Sequence, residues 1–156
     1  MGRKGKRGIL ILLAAVCLTL SAWMLWPRAL ELSGEGNYSI LVIRTAVEAG
    51  RPDSETVTLD IQVRSPEGVA LQRCLSQYAY HLCWDSLWDS ASIGTSGSDY
   101  TFSIGDAEGN HLLFSGTAEM LWNGRVVKMG YLGDGRARQL CEELLDLLNV
   151  EQRLEN

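Results

Sequence analysis

The sequence predicts an α+β fold: a mostly antiparallel sheet of about five strands with two helices on one face, preceded by a single transmembrane helix. Three observations carry that expectation. Gly8 to Trp26 runs for 19 residues without a charge. Residues 56–64 and 100–104 alternate apolar and polar side chains, the mark of strands with one wet face. Two segments, starting near Ser65 and Asp134, carry leucines at helical spacing. The order after the anchor reads β-β-α-β-β-β-α. Its connections are mostly short enough for hairpins, which makes the sheet antiparallel.

The anchor comes first. A helix of 19 residues is about 28 Å long, close to the hydrocarbon thickness of a bilayer. Arg3, Lys4, Lys6 and Arg7 precede it, and the positive-inside tendency keeps them in the cytoplasm and exports the rest. Trp23 and Trp26 stand at the far end, where indoles favour the headgroup layer, and Pro27 stops the helix. A cleaved signal peptide shares the basic start but has a shorter apolar run and a small-residue exit, not Trp23-Met24-Leu25-Trp26. A lipoprotein signal would use Cys17, but Val16 stands where a small residue belongs. A buried core helix would need a much larger protein around it. The chain therefore divides into a basic cytoplasmic tail (1–7), a signal-anchor span (8–26), a polar tether (27–37), an extracytoplasmic domain (38–149) and a charged, fraying tail (150–156).

Within the domain, residues 38–47 are rich in β-branched side chains on both faces, which suits a central strand. Residues 48–55 turn around Gly50-Arg51-Pro52-Asp53. In the next strand Val57, Leu59, Ile61 and Val63 face inward. Ser65-Pro66-Glu67 opens a helix with a capping hydroxyl, a proline in the first turn and an acid at the positive end of the dipole. Leu71, Leu75, Tyr78 and Leu82 form its stripe. Residues 84–92 have no clear period, and 93–98 read as a loop.

Tyr100, Phe102 and Ile104 point inward from the third strand, and residues 105–110 turn the chain. Residues 111–122 and 125–132 are two strands joined by Asn123-Gly124, a pair suited to a type I′ turn because both positions accept positive φ. That turn sets Trp122 opposite Arg125, Met120 opposite Val127 and Glu119 opposite Lys128. Ala118, Met120, Val127 and Met129 then belong to the core. The last helix opens at Asp134, carries Leu140, Leu144, Leu147 and Leu148 on one stripe and stops at Asn149.

Charge limits the function. Positions 1–28 hold five of the 14 basic residues and no acidic one, so residues 29–156 keep 9 basic and all 19 acidic residues, a balance of −10. A domain that acidic argues against nucleic acid as a partner, since phosphate binding needs clustered Lys and Arg. Cofactor fingerprints, phosphate loops, serine-hydrolase elbows and zinc spacings are missing from the sequence.

Four groups of residues remain as candidates. Trp84 and Trp88, flanked by Asp85 and Asp89, suit an aromatic contact with a protein or glycan partner; the alternative is that the indoles cover an edge of the core. Cys74 and Cys141 flank the stripes of the two helices and would bridge if the helices are neighbours; the alternative is buried thiols. Cys83 is nine residues from Cys74, about 13 Å along a helix, too far to bond it. His81 with Asp85, or His111, would serve a hydrolase, if the helix continues past Trp84. Asp106, Glu108 and Asn110 space oxygens like the start of a calcium loop, though the segment is too short and reads as a hairpin turn.

From Val57 to Leu148 the layout resembles small uncharacterised extracytoplasmic domains of single-anchor and lipoprotein-type proteins of Gram-positive bacteria. The residues that carry the likeness are the Ser65-Pro66-Glu67 helix start, the strand and acidic turn of residues 100–110 (YTFSIGDAEGN), the hairpin of residues 122–132 (WNGRVVKMGYL) and the helix of residues 140–148 (LCEELLDLL). The helix followed by an antiparallel hairpin is also similar to PepSY-type modules. The resemblance implies no catalytic residue. It agrees with a membrane-anchored, non-catalytic binding, sensory or modulating module of the cell envelope. The alternatives are an anchored hydrolase and an oligomer assembled through the span, with Cys17 at its seam.

Overall fold

The computed structural model describes residues 3–48, 51–88 and 99–154. Helix α1 (Arg3–Leu25) contains the apolar segment. Its Thr19 hydroxyl donates back to the Ala15 carbonyl at 2.8 Å, so the one threonine of the apolar segment satisfies itself inside the helix. The chain continues through β1 (Arg28–Ala29), β2 (Asn37–Glu48), β3 (Arg51–Gln62), α2 (Pro66–Ser76), β4 (Ala79–Leu82), α3 (Asp85–Trp88) and β5 (Tyr100–Gly105). It ends with β6 (His111–Phe114), β7 (Glu119–Trp122), β8 (Arg125–Met129), α4 (Gly135–Leu147) and α5 (Val150–Leu154). The α+β class holds, with one fully antiparallel sheet in the order β1-β4-β8-β7-β6-β5-β2-β3.

Among the described residues the sheet has eight strands rather than about five, and each extra strand has a cause. The expected strand 111–122 is two strands, because Gly116, at φ +74°, folds the chain back between β6 and β7. The expected helix beyond Ser76 is strand β4: Tyr78, Tyr80 and Leu82 fit a period of two as well as a helical one, and pairing with β1 and β8 decides for the strand. The third is β1, in what was expected to be a free tether.

That tether is part of the domain. Leu30 and Leu32 are 1% and 5% exposed, and the Ser33 amide donates to Asp106. The expected tail is also structured: α5 buries Val150, and Arg153 donates to the Leu148 carbonyl at 3.0 Å. The hairpin of β2 and β3 is tighter than the sequence suggested, pairing out to Glu48 and Arg51. Pro52 is tolerated because β3 is an edge strand.

The Asn123-Gly124 hairpin has the expected register, with φ of +50° and +76° at the two residues. Met120, Val127 and Met129 are each 1% exposed, Ala118 is only half-buried just before β7, and the Glu119–Lys128 ion pair closes at 3.0 Å. Helices α2 and α4 pack together over the apolar sheet face, where Phe102 and Phe114 stack with centroids 5.1 Å apart. Ser65 caps α2 by accepting from the Gly68 amide at 3.0 Å. Gly68 is required there: a Cβ would collide with the Gln62 and Val63 carbonyl oxygens at the β3–α2 corner. The opposite sheet face presents Thr56, Thr58 and Asp60 to solvent, as the alternation predicts.

Candidate functional site

The region built most deliberately is the joint between α1 and the sheet. The last carbonyls of a helix have no partner within it. Here Arg28 supplies one, donating to the Trp23 and Trp26 carbonyls at 3.1 and 3.4 Å while its guanidinium lies 5.2 Å from the centre of the Trp23 ring. A cation at this end also complements the helix dipole. The same residue pairs with Tyr80 as the first rung of β1 against β4. Two residues thus separate the end of α1 from the sheet.

A second contact comes from the loop after β8. Gly130 and Gly133, at φ +75° and +64°, turn residues 131–132 outward. The Tyr131 ring stacks on His81 with centroids 4.6 Å apart, and its hydroxyl donates to the Leu25 carbonyl at 2.7 Å. Beside this loop lies a cleft of about 400 Å³ lined by Pro27, Tyr78, Tyr80, Met129, Leu132 and Arg136.

His81 lies on a strand, not on the expected helix, and is 7% exposed. Burial, aided by the nearby Lys128 ammonium, depresses its pKa below the ordinary imidazole value. Its ring faces Tyr131 rather than Asp85, so the pair that required a continuous helix is not formed. His111 is exposed, with Nε2 2.8 Å from the Ser103 hydroxyl. Strands β4 and β6 are separated by β8 and β7, which sets the two histidines at least about 14 Å apart.

Trp84 is 70% exposed and Leu87 47% exposed, with Asp85 exposed between them. Trp88 ends α3, but its side chain and all of Asp89 lie outside the described residues. The short α3 is held against β8 by Ser86, whose hydroxyl accepts from the Cys83 amide at 2.8 Å and donates to the Val126 carbonyl.

Cys74 and Cys141 sit on neighbouring helices but remain thiols, so of the two readings the bridge is not made; Cys141 is buried and Cys74 half-buried. Cys74 instead donates to Glu143 at 3.5 Å. Burial, with that carboxylate adding, pushes the thiol up to about 12. Asp106 spends both oxygens on protein donors: the Ser33, Glu108 and Asn110 amides and the Asn110 side chain, at 2.6 to 3.0 Å. Residues 106–110 are therefore a hairpin turn that clasps the segment after β1. Among the described residues no group of three or more His, Cys, Asp or Glu side chains is placed to hold a metal ion.

No family model, curated protein or solved structure matches the chain. The joint escaped sequence reading because Arg28 looked like one more flanking cation and Tyr131-Leu132 like the end of a strand. The signal was present in the two glycines that bracket that pair.

Proposed function

We propose that this chain is a single-pass membrane protein. It would hold a non-catalytic binding or sensory domain on the extracytoplasmic side, with residues 1–7 in the cytoplasm. The observation that carries this reading is the bare span: Gly8–Leu25 has a mean hydropathy of 2.4, and only 6% of it is buried by the rest of the protein. Leaving that apolar surface in water is strongly unfavourable, whereas a bilayer covers it. The joint supports retention over cleavage, because Trp23, Leu25 and Trp26 bond to Arg28 and Tyr131 of the domain. Arg3, Lys4, Lys6 and Arg7 before the span support the orientation. Trp84, Asp85 and Leu87 form the exposed contact offered to an envelope protein or glycan. The likeness to extracytoplasmic domains of single-anchor proteins points the same way.

Lysines make the test direct, since only Lys4, Lys6 and Lys128 occur. A membrane-impermeant amine reagent applied to intact cells should modify Lys128 and spare Lys4 and Lys6, all three becoming reactive after permeabilisation. Modification of Lys4 and Lys6 alone would reverse the topology. A mature product lacking residues 1–26 would replace the anchor with a signal peptide. An anchored hydrolase is the second reading, favoured by the Ser103–His111 contact. It requires a serine-directed fluorophosphonate probe to label Ser103, and the label to vanish in His111→Ala.

A further inference from the structure

Leu132 is 94% exposed and Tyr131 beside it is 62% exposed. Exposed apolar side chains mark a contact surface where they join into one continuous patch. Their position is fixed. The glycines at 130 and 133 set the backbone path, and Tyr131 is pinned between the His81 ring and the Leu25 carbonyl. Leu25 is the last residue of α1, so the loop emerges where the span ends. Trp23, Leu25 and Trp26 are themselves 56%, 49% and 68% exposed. Leu132 and Pro27 line one cleft, which makes the exposed apolar surface continuous from span to loop.

We propose that the loop of Tyr131 and Leu132 is a second membrane contact, entering the same leaflet from which α1 emerges. This deepens the anchor reading and rests on it. Continuity with the span selects lipid as the occupant: a surface that adjoins the end of a bilayer-spanning helix meets lipid first. The chemistry agrees. Leucine suits the acyl boundary, tyrosine and tryptophan the headgroup layer, and Arg136, which lines the cleft beside Leu132, is a cation suited to lipid phosphates. The loop and the span then fix the domain at two points rather than one.

The test uses the isotope-labelled full chain in phosphatidylcholine nanodiscs, with and without a lipid bearing a nitroxide at acyl carbon 5. Amide signals of Gly130–Gly133 should fall by about half or more, together with those of Trp23–Trp26 at the interface. Those of Thr56–Leu59 should persist, because β3 is the other edge of the sheet, about 34 Å from β1 at seven strand spacings. Leu132→Asp, a change at a fully exposed position, should restore the loop signals and leave the span attenuated. Undiminished loop signals with an attenuated span would overturn the loop contact and leave the anchor standing. Equal attenuation of β3 would also overturn it, since the whole domain would then lie on the lipid. Loss of attenuation at both span and loop would defeat the anchor reading itself.

Discussion

Replacing Asp106 with alanine removes the clasp that ties the segment after β1 to the β5–β6 turn. Four hydrogen bonds are lost: from the Ser33 amide at 2.6 Å, the Glu108 amide at 3.0 Å, and the Asn110 amide and side chain at 2.8 Å each. A bond to an ionised acceptor contributes about 1.5–3 kcal/mol, but Asp106 is only part-buried and the freed donors regain water, so the net loss should be about 2–3 kcal/mol. With a urea slope of about 1–3 kcal/mol per molar, the midpoint should fall by about 1–2 M at pH 7.

The effect has a pH signature. Burial alone would raise the Asp106 pKa, but the bonds from Ser33, Asn110 and Glu108 outweigh it and hold the carboxyl below its usual value. Its contribution is therefore complete above the unfolded value near 4 and is lost as pH falls through the folded one. Urea unfolding of the full chain in micelles, followed by near-ultraviolet circular dichroism, measures both effects. A midpoint change under about 0.2 M at pH 7 would refute the clasp, as would a gap between variant and wild type that stays constant down to about pH 2.5.

Other perturbations follow from single contacts. Gly68→Ala should cost at least about 1–3 kcal/mol, since the added methyl meets backbone oxygens that cannot move aside; an unchanged urea midpoint would contradict the tight corner. His81→Phe keeps a ring against Tyr131 and removes a base whose pKa is depressed by burial. Wild type should lose stability as pH falls from the ordinary imidazole value of 6.5 toward the folded one, and the variant should not; parallel profiles from pH 7 to 5 would count against it. Cys74, with its thiol near 12, should resist iodoacetamide at pH 8 in the native protein and react once unfolded, which peptide mass mapping reads directly. Glu119→Ala removes a half-exposed ion pair and should shift stability by less than about 1 kcal/mol.

Local signals that survive in the fold were legible in the sequence. Asn123-Gly124 dictates a turn that fixes its own register, and the neighbouring strands had only to obey it. Ser65-Pro66 starts α2 for reasons contained in four residues. What escaped was decided by distant partners. Residues 79–82 are a strand because β1 and β8 flank them, and β1 exists because Arg28 has a helix end to cap and a strand to pair with. Leu30 and Leu32 are only two apolar residues in a polar stretch, too few for a period, and their burial depends on α2 lying beneath them. The two histidines were separable only once the strand order was known.

The two-residue distance from the last turn of α1 to the first rung of the sheet leaves no slack. In an anchored protein, such a coupling transmits torque. A rod that leans to match a thicker or thinner bilayer carries the eight strands with it, and a load on the far edge of the sheet is felt by the rod as a lever would feel it. Held so above a bilayer, the domain would keep one fixed height over the lipid.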